Sequence, residues 1–153
     1  VEEVVRQAFG RDSEADLVRR LRATPGYIPE LALLAELDGR AAGQALFSRI
    51  RIETPAAVLP ALTLASLAVL PALQRRGIGS ALMTAGLARC RELGHRVVVL
   101  FGHPEYYPRF GFVNADGLSV EGVPAEAFFA LSFDGTYPQG IVMFHEGFGA
   151  TGA

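Results

Sequence analysis

Residues 62–101 read LTLASLAVLPALQRRGIGSALMTAGLARCRELGHRVVVLF, and this stretch decides the fold. Leu62 to Leu70 is apolar at positions that would face both sides of a sheet, as a central strand requires. From Gly77 or Ser80 to Leu93 the apolar residues take helical spacing. Leu82, Gly86, Cys90 and Leu93 share one stripe, and Gly94 stands where a left-handed cap would end the helix. Arg96 to Phe101 is then a β-branched strand. Strand, glycine-bearing turn, helix and strand predict a right-handed βαβ unit with parallel strands, whose ligands gather at the carboxyl ends of those strands.

The hexapeptide Gln74-Arg75-Arg76-Gly77-Ile78-Gly79 lies at that end. Gly77 and Gly79 lack a Cβ, so backbone N–H groups there can close on a diphosphate, and the helix start behind them adds partial positive charge. Arg75 and Arg76 contribute fixed charge and forked donors. A dinucleotide-binding unit would need a third glycine where Leu82 stands and an acid where Phe101-Gly102 closes the second strand. Both are missing. All fourteen basic residues are Arg, so no lysine can complete a Walker-type loop or form a Schiff base, which disfavours a nucleotide hydrolase.

Outward from this unit, Leu31 to Leu37, Asp38-Gly39 and Ala41 to Ile52 predict a hairpin, because Asp-Gly supplies the positive φ angles of a two-residue turn. Val1, Val4, Val5, Ala8 and Phe9 predict an amphipathic helix ended by Gly10, and Ser13 to Ala23 a second one ahead of Pro25. Glu105 to Phe110 reads as one irregular helical turn, Phe112 as the start of a short strand and Ile141 to His145 as the last strand. Ala115 to Gly140 reads as loop with an apolar patch at Ala127 to Leu131, and 147–153 as a tail.

The 153 residues suffice for one domain with a real core, and half of them are hydrophobic. A net charge of −2 argues against a nucleic-acid or anionic-membrane binder, since those need a concentrated basic surface. Thr54 to Leu73 carries no charge, but Pro55, Pro60 and Pro71 interrupt it, so it reads as loop and buried strand and not as a membrane span. One cysteine and three scattered histidines give neither a disulfide nor a zinc-ligand spacing, and point to the cytoplasm.

Leu67-Ala68-Val69-Leu70-Pro71 leading into Gln74-Arg75-Arg76-Gly77-Ile78-Gly79 resembles the signature of the GNAT superfamily of acyl-CoA-dependent N-acetyltransferases. Tyr106-Tyr107-Pro108-Arg109-Phe110-Gly111-Phe112 is similar to that family's Tyr-x-x-x-Gly-Phe ending. The resemblance implies an α/β chain of the α+β type: a mixed, mostly antiparallel central sheet with a parallel splayed pair and flanking helices. It covers about residues 1–113 of a single domain, leaving 114–153 as a C-terminal extension. The family's usual first strand would precede Val1; without it, the edge beside Leu31 to Leu37 is open to a second copy and a homodimer.

The resemblance further implies acetyl-CoA as cofactor and a small-molecule or peptide amine as acceptor. Leu67 and Val69 would pair through their backbones with pantetheine. Gln74, Arg75, Arg76, Gly77, Ile78, Gly79 and Ser80 would surround the pyrophosphate, with the amides of Arg76 to Ser80 holding it. An N–H at Val69 or Leu70 would receive the oxyanion. Tyr107, four residues before Gly111, stands in the family's position for the group that protonates the departing thiolate; Tyr106 is the alternative ring to face it. For the base, the central strand offers only Ser66 and Thr63, His103 and Glu105 flank the thiol site, and bulk solvent can serve. Cys90 reads as packing, and Glu2, Glu3, Asp12, Glu14 and Asp16 as a solvated face able to attract a cationic amine. Direct transfer to a primary amine leads; a non-catalytic acyl-CoA-binding regulatory module is the alternative.

Overall fold

A computed structural model describes residues 22, 23, 25–102 and 104–144. The helix expected from Val1 to Phe9, nearly all of the one expected from Ser13 to Ala23, the acidic residues placed on them, His103 and the expected tail lie outside the described residues. Among the described residues, seven strands and one long α-helix follow in order: β1 (Tyr27–Leu37), β2 (Arg40–Glu53), β3 (Val58–Val69), α1 (Ile78–Glu92), β4 (Val97–Phe101), β5 (Leu118–Ser119), β6 (Phe128–Ser132) and β7 (Gly140–Met143). One sheet holds every strand in the order β5-β7-β2-β3-β4-β6, with β1 also on β2. Among the described strands only β3 with β4 and β5 with β7 run parallel; the remaining pairs are antiparallel. The expected mixed, mostly antiparallel α/β sheet is therefore present.

The Asp38-Gly39 turn forms as its residues demand, with φ of 52° and 77°. Along β4, Val98 and Leu100 join the core beneath α1 while Val97 and Val99 join a second core on the other face. Burial on both faces explains the unbroken apolar run. The uncharged stretch before Pro71 is mostly β3, and among the described residues no helix is long and apolar enough to cross a membrane.

Differences from the sequence reading have local causes. β1 begins at Tyr27 because a register irregularity between Tyr27 and Ala32 absorbs Pro29, and β3 begins at Val58, with Pro60 still short of its pairing with β4. The Ala127 to Leu131 patch is mainly a strand, β6, pairing with β4 from Val97↔Ser132 to Phe101↔Phe128. Residues beyond 113 therefore continue the central sheet. Phe112 starts no strand: it is buried, and Val113 makes one isolated bridge to Ala130. Leu93 lies at the solvent-exposed end of the helix stripe and not in the core.

Gly86 faces β2, where a Cβ would collide with the fully buried Phe47 ring. Helix propensity alone would favour Ala there by about 1 kcal/mol, whereas overpacking costs about 1–3 kcal/mol. The collision is set to win because two atoms of a fully buried ring would lie within contact distance of the new methyl. Gly86→Ala should lower stability by up to about 2 kcal/mol, read as a lower urea midpoint at unchanged slope.

Candidate active site

The site begins where β3 and β4 part. Their parallel pairing covers only Leu62↔Val98 and Thr63↔Val99, so the rest of β3 has no partner on the β4 side. Just beyond, the register with β2 slips between Leu46↔Ser66 and Phe47↔Leu64, leaving Ala65 as a bulge. Leu70 N donates to Ala42 O, which makes the opposed Gly43 and Val69 a non-hydrogen-bonded pair. The N–H and C=O of Val69 therefore point away from β2 into the gap, as do those of Leu67 two residues earlier. Gln74 Nε2 donates to Val69 O at 3.0 Å, tying the loop to the strand end.

The chain then turns through Arg75 and Gly77, both at positive φ, into α1. Gly77 is the N-cap and supplies no capping side chain, and the first turn of the helix has no acid. The first intrahelical bond is Ala81 N to Gly77 O, so the amides of Ile78, Gly79 and Ser80 have no intrahelical acceptor. They sit at the positive end of the helix dipole. A groove of about 520 Å³ opens over them, lined by Leu67, Val69, Leu73, Gln74, Arg75, Gly77, Ile78, Gly79 and Ser80 together with Tyr106 and Arg109 from a separate segment. Eight of the nine residues expected around the cofactor share this groove; Arg76 is exposed and does not line it.

The two tyrosines divide. Pro108 fits the first turn of a 3-10 helix at Tyr107–Phe110, and Gly111, at φ 98°, ends it. Tyr106 turns to the groove, with its Oη 3.4 Å from Ser80 Oγ, its ring edge-on to Phe110 and the Arg109 guanidinium 4.7 Å from its centroid. Tyr107 instead packs its ring against Gly102 and Phe112, partly buried. Burial, and secondarily the neighbouring Tyr106, raises its pKa above the usual phenol value.

The family profile for the acetyltransferase (GNAT) domain matches residues 1–115. The chain belongs to the GNAT acetyltransferase family. Among GNAT relatives, the uncharacterized N-acetyltransferase YjhQ of Escherichia coli K12 is 38% identical over 125 residues, covering 82% of this chain and 68% of that protein. The uncharacterized N-acetyltransferase YhbS of the same strain is 30% identical over 112 residues, covering 73% and 65%. The matches thus span about two thirds of each relative. A GNAT family acetyltransferase from Brucella melitensis, crystallised with acetyl-CoA, superposes with a TM-score of 0.80 at 35% identity, covering 97% of this chain and 89% of that one. YhbS from E. coli, crystallised with CoA, gives 0.84 at 29% identity, covering 97% and 84%.

In this GNAT chain the polar groups of β3 take different parts. Thr63 Oγ1 donates to Val99 O at 3.0 Å, so that hydroxyl secures the short parallel pairing. Ser66 Oγ accepts from Gln44 Nε2 at 2.7 Å, and both residues are buried. Gln44 escaped the sequence reading because a lone amide within an apolar strand carries no pattern of its own. Leu70 drops out as an oxyanion donor, since its N–H is engaged by Ala42. Cys90 is fully buried and its thiol is pushed up to about 12 by burial, which keeps it protonated and unreactive. Glu105 is exposed.

Proposed function

We propose that this GNAT protein is an N-acetyltransferase that binds acetyl-CoA in the groove and passes the acetyl group directly to a primary amine of a small molecule or peptide. The observation that carries this reading is the continuity of two half-sites. The unpaired edge of β3 at Leu67 and Val69 runs into the unsatisfied amides of Ile78, Gly79 and Ser80 within one groove. Pantetheine carries amides that can satisfy the strand edge, and its pyrophosphate suits the helix start. The Brucella and E. coli neighbours, crystallised with acetyl-CoA and CoA, support the same ligand.

Within that reading Val69 N–H faces the gap, where it can stabilise the thioester oxygen as it gains charge. The acceptor nitrogen forms a bond to the carbonyl carbon and releases a proton to water; the carbon–sulfur bond then breaks, and Tyr107 gives its phenolic proton to the thiolate. Arg76 contributes its amide and its long-range charge. The protein works in the cytoplasm, where acetyl-CoA is available.

A second reading, a non-catalytic acyl-CoA sensor, draws on one observation: no carboxylate or histidine lines the groove among the described residues. Incubation with acetyl-CoA and a panel of primary amines, followed by titration of free thiol, separates the two. Amine-dependent thiol release is expected; tight CoA binding with no release on any amine would leave the sensor.

A further inference from the structure

The lining of the groove holds, from outside α1, a cation whose position the fold fixes. Arg109 lies within the 3-10 helix that Pro108 and Gly111 bound, and its guanidinium is seated on the face of the Tyr106 ring. Phe110 and Tyr107 each meet that ring edge-on, at 5.2 Å and 5.0 Å between centroids, so the platform itself is braced. Arg109 is exposed and forms no ion pair among the described residues, unlike Arg51, Arg89 and Arg96. In the same groove stand the free amides of Ile78, Gly79 and Ser80, with Tyr106 Oη reaching to Ser80 Oγ. Positive potential thus converges on one volume from two elements, and no acid in the lining offsets it.

We infer that Arg109, held on Tyr106, is the second jaw of a diphosphate clamp whose first jaw is the amino end of α1. The inference rests on the acyl-CoA reading and extends it to a residue outside the glycine loop. A guanidinium presents forked donors that match phosphoryl oxygens, and stacking on an aromatic face restricts it before the ligand arrives. The diphosphate is the part of the ligand assigned to it, because Arg109 shares the groove with the amides that suit the same group. The alternative source of the same chemistry is the 3′-phosphate.

Equilibrium binding of CoA and of dephospho-CoA, which lacks the 3′-phosphate, tests this without any need for turnover. Arg109→Ala is expected to weaken both ligands by the same factor, about tenfold or more, as for loss of a charge-assisted hydrogen bond, while the unliganded melting temperature stays put. Arg109→Lys should retain part of the affinity. Tyr106→Phe, which keeps the ring, should bind far better than Tyr106→Leu, and the losses from Tyr106→Leu and Arg109→Ala should not add when combined. Unchanged binding by Arg109→Ala would overturn the inference, as would a loss confined to CoA, which would assign Arg109 to the 3′-phosphate. If the unaltered protein bound neither compound, the acyl-CoA reading would fall and the clamp with it.

Discussion

Replacing Tyr107 with Phe is expected to slow amine-dependent release of CoA thiol by about 10²-fold or more while acetyl-CoA binds as before, the pattern for loss of a general acid. The ring's seat explains why binding should survive. It rests on Gly102, meets Tyr106 and Phe112 edge-on and does not line the groove, and Phe would keep all of those contacts. The hydroxyl forms no hydrogen bond to another described residue, and no buried side-chain polar atom among them lacks a partner, so Tyr107 Oη retains access to solvent. Its pKa is raised, first by burial and then by Tyr106, which fixes the sign of the pH dependence. A phenol raised above its usual value stays protonated across neutral and mildly alkaline pH, where the uncharged fraction of the acceptor amine grows. The rate should climb with pH as the amine loses its proton and show no alkaline fall below about 10. Tyr106→Phe, altering the other ring, should leave the rate constant for transfer close to that of the unaltered protein. An unchanged rate for Tyr107→Phe, with Tyr106→Phe slowed instead, would exchange the two roles.

The division between two adjacent tyrosines shows what a sequence can carry. The βαβ unit was legible because each part had its own signal: an uncharged run for β3, helical spacing for α1, Gly94 as its stop and Val97 to Val99 for β4. The groove was legible because backbone amides at a helix start need only the glycines. Which of two neighbouring rings enters a groove depends on the irregular turn around Pro108, and no period encodes that. β6 was missed for a related reason. Phe128, Phe129 and Ala130 are all buried, so the strand shows no alternation, and its place was decided by the free edge of β4. The bulge at Ala65 and the Gln44–Ser66 bond are also products of register between distant segments. Local residues state local preferences; only pairing sets which backbone groups remain free.

Gly79→Glu should reduce acetyl-CoA affinity by about 10³-fold or more without harming the fold, since it removes a ligand–amide contact, fills the groove and adds repulsion. A Cβ at position 79 would lie 3.3 Å from Tyr106 Oη and 3.8 Å from Val69 Cγ2, so the longer side chain must grow into the groove. Gly79 does not have a positive φ, so the backbone accepts a side chain. A carboxylate in the first turn of α1, where none now stands, is favourable by about 0.3–1 kcal/mol through the helix dipole. The same carboxylate can accept from the amides that the ligand needs and repels an incoming diphosphate. Stability and binding should therefore move in opposite directions: the unliganded melting temperature holds or rises, while the stabilisation of about 2.7 kcal/mol that a ligand gives at a hundred times its Kd disappears. A general packing defect would lower both. Gly79→Ala, whose methyl meets only the Tyr106 hydroxyl tightly, should fall between the two proteins. Retained acetyl-CoA affinity in Gly79→Glu would mean that the groove at the head of α1 is not where the pyrophosphate binds.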